Sequence, residues 1–253
     1  MRFSAIKAIL AAGLFVLPGG FADPWVAAAQ QAATSPLLVK DLTPETRGDL
    51  LMIRRSYQAA IDAYIACPDQ SAEILNKIGI AYHHLYAIDK ARVFYLRALQ
   101  LDPKFADALN NLGATYYAGQ DFKKAEQYYR RALKIAPRNV TFRKNLGAAY
   151  FAQGKTQKGM EAYRDAFEDD PNAFSDNVSN LISEPGTARE RWSQDYCLAA
   201  LYARAGMNTR ALDYLREAFS AGFSDYKKLK TDSDFDTLRK STEYAELVKD
   251  ERR

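Results

Sequence analysis

Histidine is nearly missing from this chain: His83 and His84 are the only two. Neighbouring positions on a helix point about 100° apart, so the two rings do not converge on one metal ion, and no set of carboxylates stands beside them. The expectation is a groove or surface imidazole, with no metal and no cofactor. Catalytic signatures are missing as well. There is no G-x-S-x-G, no phosphate-cradling glycine loop and no H-E-x-x-H. The paired acids Asp169–Asp170 close a helical segment, where a solvated cap explains them. The sequence therefore reads as that of a protein that is not an enzyme. Cysteine is scarce too, with Cys67 and Cys197 alone. Helices pack about 8–10 Å apart and several helices separate the two thiols, whereas a disulfide needs Cα atoms within about 7 Å. Two buried thiols, or a bridge between molecules, are the remaining choices. Charge of one sign is not in excess: 35 cations against 31 anions give +4, too little to point to nucleic acid.

Long apolar runs are confined to the start. Ile9–Leu17 is too short for an ordinary membrane span. Arg2 and Lys7 flank it, small residues follow, and Ala27–Ala28–Ala29 before Gln30 supplies an A-x-A-like site. Residues 1–29 are expected to be a signal peptide. Cleavage after Ala22 is a second possibility, and an uncleaved anchor is the alternative. No cysteine lies near the site for bacterial-type lipid attachment. The processed chain would be periplasmic or secreted, without a stable membrane span.

What is present is a repeat. Residues 106–139 show it most cleanly. Leu109, Leu112, Gly113 and Tyr116 lie on one face of a first helix, and Ala125, Tyr129 and Ala132 on one face of a second. Gly113 lets the second helix approach, Tyr116 and Tyr129 fill the space beside that contact, and Pro137 ends the unit. Residues 72–105 repeat this with Leu75, Ile78, Gly79, Tyr82, Ala91, Tyr95, Ala98 and Pro103. Residues 140–173 give Leu146, Gly147, Tyr150, Gly159, Tyr163, Ala166 and Pro171. Two departures occur there. Arg143 replaces the first large apolar residue, and Gly159 replaces the small alanine at a cost of roughly 1 kcal/mol.

Three contiguous units at this period resemble the tetratricopeptide repeat (TPR) family, whose period is about 34 residues. The resemblance implies an all-α, right-handed α-solenoid of stacked antiparallel helix pairs, each touching its neighbours. Around it, residues 30–43 read as a linker. Thr43–Pro44 starts a helix expected to run to about Ala66, within a capping element at 44–71 that covers the first repeat. Residues 174–191, with Ser175, Asn177, Ser179, Ser183 and a turn at Pro185–Gly186, form an irregular insertion. Residues 192–224 are a divergent fourth repeat, with Leu198, Ala199 and Tyr202 on one helix and Ala211, Leu215 and Ala218 on the next. Residues 225–253 form a terminal cap that buries Leu229, Phe235, Leu238, Tyr244 and Leu247 and leaves Lys227, Lys228, Lys240 and Arg252 wet.

In this family the first helices line a groove for an extended peptide or a partner helix. By resemblance the groove residues would be Asn76, Lys77, Ile80, His83, Asn110, Asn111, Ala114, Tyr117, Lys144, Asn145, Ala148 and Phe151. The asparagines either bracket the peptide units of a bound chain or bond within the array. Tyr117 and Phe151 follow the core tyrosine by one residue. They are either anchors exposed to a partner or packing between first helices. The set that grips chaperone C-terminal carboxylates is not matched, because Asn76, Ile80, Thr141 and Asn145 stand there and only Asn111 fits.

Asp232, Ser233, Asp234 and Asp236, with Glu243, have the spacing of a calcium loop. Thr237 stands where the turn glycine should be, and Arg239 and Lys240 intrude. Helix caps explain these acids. Lys123, Lys124, Arg130, Arg131, Lys134, Arg138, Arg143 and Lys144 cluster along the second and third repeats, mostly on second helices, as a solvated face or a weak site for an anionic partner. The expected function is a non-enzymatic protein-interaction scaffold of the bacterial cell envelope. The alternatives are an assembly or folding factor for many exported polypeptides and, least supported, an enzyme with a site near 172–191. The partner is another protein, and the oligomeric state is open.

Overall fold

The computed structural model describes residues 42–174 and 188–250. The expected signal peptide, the linker up to residue 41, the turn at Pro185–Gly186 and Arg252 lie outside the described residues. Among those described there are twelve α-helices, two short 3₁₀ turns and no strand. No described helix is long and apolar enough to cross a membrane. The chain divides into two compact units, residues 1–69 and 70–253.

In the first unit, α1 (Pro44–Ile53) and α2 (Tyr57–Ile65) form a helix pair. Thr43 caps α1, its hydroxyl accepting from Thr46 N at 3.2 Å, and Pro44 opens the first turn. The single helix expected over this stretch is broken at Arg54–Ser56, where Arg55 adopts φ 56°. The break brings Tyr64 over Gly48, and the phenol donates to Asp49 Oδ1 at 2.8 Å. Gly48 is therefore the close-approach residue of a hairpin, and the capping element is a helix pair.

The second unit begins with three matched pairs: α3 (Ala72–His84) with α4 (Ile88–Leu101), α5 (Ala106–Ala118) with α6 (Phe122–Ile135), and α7 (Val140–Ala152) with α8 (Thr156–Asp169). Then come α9 (Ala188–Arg204) and α10 (Asn208–Ser220). The short helices α11 (Tyr226–Thr231) and α12 (Thr242–Asp250) follow. Each pair is closed the same way. One turn residue takes a positive φ: Tyr86 at 57°, Gln120 at 60°, Gly154 at 71° and Gly206 at 74°. The next amide reaches back five residues, as from Ala87 N to Tyr82 O at 3.0 Å and from Asp121 N to Tyr116 O at 2.9 Å. Such a left-handed stop satisfies the last carbonyls of the first helix and reverses the chain.

The pairs are locked by a glycine under a tyrosine ring. A Cβ on Gly79 would lie 2.5 Å from Tyr95, and one on Gly113 would lie 2.7 Å from Tyr129. Gly147 stands closer still to Tyr163. In the last pair the same register holds Ala199 and Leu215, both buried. A methyl group has been added on one helix and an aromatic ring removed from the other, so the packed volume is kept.

Both departures in the third repeat have local causes. The Arg143 guanidinium donates to Asp169 Oδ2 at 2.6 Å and to Asp165 O at 2.8 Å, tying α7 to α8 across the face where an apolar residue would pack. Gly159 leaves room for the Phe151 ring, which would sit 2.9 Å from an added Cβ. At the C-terminal end, Leu229, Phe235, Leu238, Tyr244 and Leu247 are buried in one cluster with Tyr196, Leu215 and Phe219, and Lys227, Lys228 and Lys240 are exposed. Asp232 caps the 3₁₀ turn, accepting from Asp234 N at 3.1 Å, and also accepts from the Tyr196 phenol at 2.7 Å. Asp236 pairs with Arg239. Cys67 and Cys197 are buried and form no disulfide.

Candidate functional site

Helices α3, α5 and α7 bring the four groove asparagines into one line. Asn145 Nδ2 donates to Asn110 Oδ1 at 2.8 Å. Asn110 Nδ2 donates to Asn111 Oδ1 at 3.3 Å. Asn111 Nδ2 donates to Asn76 Oδ1 at 3.0 Å. The two longer steps each span 35 residues, one repeat and one position, so the chain of amides climbs diagonally from helix to helix. All four side chains are buried. Of the two uses open to them, the structure shows bonding within the array. Buried amides that satisfy one another fix the register of neighbouring helices and are not free to bracket a ligand. Asn145 Oδ1, at the end of the line, is buried without a partner.

Tyr117 and Phe151, expected as possible anchors, are each only 3% exposed. Tyr117 packs edge-on against Phe122 at 5.2 Å between ring centres, and Phe151 packs edge-on against Tyr163 at 5.1 Å. They belong to the core between helices and present no anchor. Ala114 and Ala148 are buried beside them. His83 is buried and its Nδ1 has no partner. Loss of solvent, with His84 next to it, lowers its pKa to about 4. No group of acids, cysteines and histidines among the described residues gathers around a metal position.

Three of the expected contact residues keep part of their surface: Lys77, Ile80 and Lys144. Lys144 is engaged by the chain that leaves the third repeat. Its ammonium donates to Ala173 O and lies 5.0 Å from the centre of the Phe174 ring. That ring tilts against Tyr163 at 4.8 Å, and the Tyr214 phenol donates to Phe174 O at 2.8 Å. From the other side, α9 starts at Ala188 rather than at residue 192. Its first turn places the buried Glu190 within electrostatic reach of Tyr117. Burial pushes the Tyr117 phenol up to about 12, and the Glu190 charge adds to the rise. Part of the segment expected to be irregular is thus helix, and the chain itself covers the face at its C-terminal end. Phe174 and Glu190 were not singled out from sequence. The helix-forming run Ala188–Arg189–Glu190–Arg191 was the available signal for the earlier start.

The surface that remains open on this side lies toward α3 and along the first turns. Glu73, Asp107 and Thr141 are exposed at equivalent places on α3, α5 and α7, and Lys77, Ile80 and His84 are half-buried on α3.

Comparison with known proteins locates the repeat. The family model described as tetratricopeptide repeat matches residues 106–139, and one described as TPR repeat matches residues 87–120. A curated chloroplastic protein from Arabidopsis thaliana is 28% identical over 74 residues, which cover 29% of this chain. The chain spans only 22% of that relative's length. Among solved structures, a thermophilic TPR protein from Thermus thermophilus is 17% identical with a TM-score of 0.50, covering 81% of this chain and 97% of its own. MamA from Desulfovibrio magneticus is 19% identical with a TM-score of 0.49, covering 75% of this chain and 96% of its own. The chain carries tetratricopeptide repeats in an all-helical, pairwise-stacked fold.

Proposed function

We propose that this chain is an exported, non-enzymatic interaction scaffold of the cell envelope that holds a partner polypeptide along α3, α5 and α7. The observation that carries the reading is the line of amides from Asn145 to Asn76, which sets three first helices side by side in fixed register. A row of helices held at constant spacing offers an extended segment the same features once per repeat. The buried asparagines and aromatics provide the spacing. Contact with the partner falls to the exposed Glu73, Asp107 and Thr141 and to the half-buried Ile80.

The test is affinity recovery from envelope extract after crosslinking, comparing the full chain with a Glu73→Lys, Asp107→Lys, Thr141→Lys variant. These side chains are exposed, so the variant should melt like the native chain. Loss of a partner recovered by the native chain is the expected result. The same partners in the same amounts would overturn the assignment of this face.

A further inference from the structure

Residues one repeat apart on α4, α6 and α8 hold equivalent places, so their outward positions can be compared directly. On α4 these are Val93, Leu96, Arg97 and Gln100. On α6 they are Gln127, Arg130, Arg131 and Lys134, and on α8 they are Glu161, Arg164, Asp165 and Glu168. All are exposed except Arg164, which is half-buried. The same outer register therefore runs from apolar on α4, through basic on α6, to acidic on α8.

The α6 cations are only partly neutralised in place: Lys124 pairs with Asp121 at 3.0 Å, and the outward ones are less well matched. Arg130 meets Glu126 only at 3.7 Å, and that carboxylate is already held by Lys155 at 2.7 Å. Arg131 lies over the Tyr128 ring. Lys123 and Lys134 are exposed and make no ion pair among the described residues. On α4, one repeat earlier, Val93 is 53% exposed, Leu96 40% and Leu101 60%. At the tip of the α3–α4 hairpin, Tyr86 holds a bulky ring almost wholly in water at a positive φ, a place that glycine fills in two other pairs. A non-glycine residue is strained there, and the exposed ring repays none of that cost in the free protein.

We infer that the outer face of α4 and α6 docks on an anionic lipid bilayer. Cations close to such a surface each strengthen attachment, and apolar or aromatic side chains beside them enter the headgroup boundary. An acidic polypeptide would match the α6 cations but leave Val93, Leu96 and Tyr86 without a role. The acidic α8 register limits the contact to α4 and α6 and tilts the chain away beyond them. Docking through second helices leaves α3, α5 and α7 available, so this inference stands apart from the partner site.

The experiment is flotation of the full chain with vesicles of phosphatidylglycerol in phosphatidylcholine, against phosphatidylcholine alone, at low and high salt. The native chain should float preferentially with the anionic vesicles, and salt should weaken it. At about fivefold per cation, Arg130→Gln, Arg131→Gln, Lys134→Gln should lower affinity roughly 100-fold at unchanged melting temperature. Val93→Ser, Leu96→Ser should weaken binding at both salt levels. Glu161→Lys, Glu168→Lys should strengthen it several-fold. Equal flotation of the native chain and the triple variant with anionic vesicles would overturn the inference. So would salt-sensitive binding confined to polyglutamate or to a second copy of the chain. Partner recovery from extract should not change in any of these variants, so the two proposals fail separately.

Discussion

Gly113 lies beneath the ring of Tyr129, close enough that one added carbon would stand 2.7 Å from Cε1. The two residues are a single packing decision made on two helices. Neither can change alone.

Gly113→Ala should lower stability by about 1–3 kcal/mol through overpacking, despite the roughly 1 kcal/mol that alanine gains in a helix interior. Urea unfolding measures the loss. Ala199 over Leu215 shows the alternative solution, so Gly113→Ala combined with Tyr129→Leu should cost less than the sum of the two single changes.

The amide line makes Asn111 structural. Asn111→Ala leaves Asn76 Oδ1 and Asn110 Nδ2 without their partners in buried surroundings. The cost should be about 1–3 kcal/mol, read as a lower denaturation midpoint with no ligand present. An unchanged midpoint would return these asparagines to the ligand-facing role.

Phe151 fills the space that Gly159 leaves, and Phe151→Ala should cost about 3–5 kcal/mol as a buried cavity. Gly159→Ala alone should also destabilise, because its Cβ meets that ring. Together the two changes should cost less than their sum, since the smaller residue at 151 admits the larger one at 159. Loss of partner binding in Phe151→Ala would therefore report unfolding, unless stability is measured alongside.

Two groups drawn out of water, the half-buried Asp195 and the buried His83, give opposite pH trends. Burial, with the Glu217 carboxylate nearby, raises the Asp195 pKa from its ordinary 3.8 to about 7. Its contribution to stability is full below pH 4 and is lost as pH rises through 7. Asp195→Asn should thus gain stability over the native chain at pH 8 and little at pH 4. His83 is lowered from 6.5 to about 4, so its contribution is full above pH 6.5 and is lost as pH falls toward 4. His83→Gln should be less acid-sensitive than the native chain in that window. Melting temperature across pH 4–8 tests both.

Sequence by itself determined the helices, their pairing and the repeat register. Spacings of three and four place Leu109, Leu112, Gly113 and Tyr116 on one face whatever surrounds them, and the equal period fixes which residues are equivalent. Three further features needed the tertiary structure. The hairpin turns use Arg55, Tyr86 and Gln120 at positive φ, and nothing in those residue types announces a left-handed stop. The short first pair was hidden because Gly48 and Tyr64 fall out of step with the later period. The fate of the face formed by the first helices was undecided, because an asparagine or aromatic at a given register can point to a ligand or to the next helix. That choice depends on how closely neighbouring helices stack and on what Phe174 and Glu190 bring across the chain. Those contacts join residues far apart in sequence, and no local pattern encodes them.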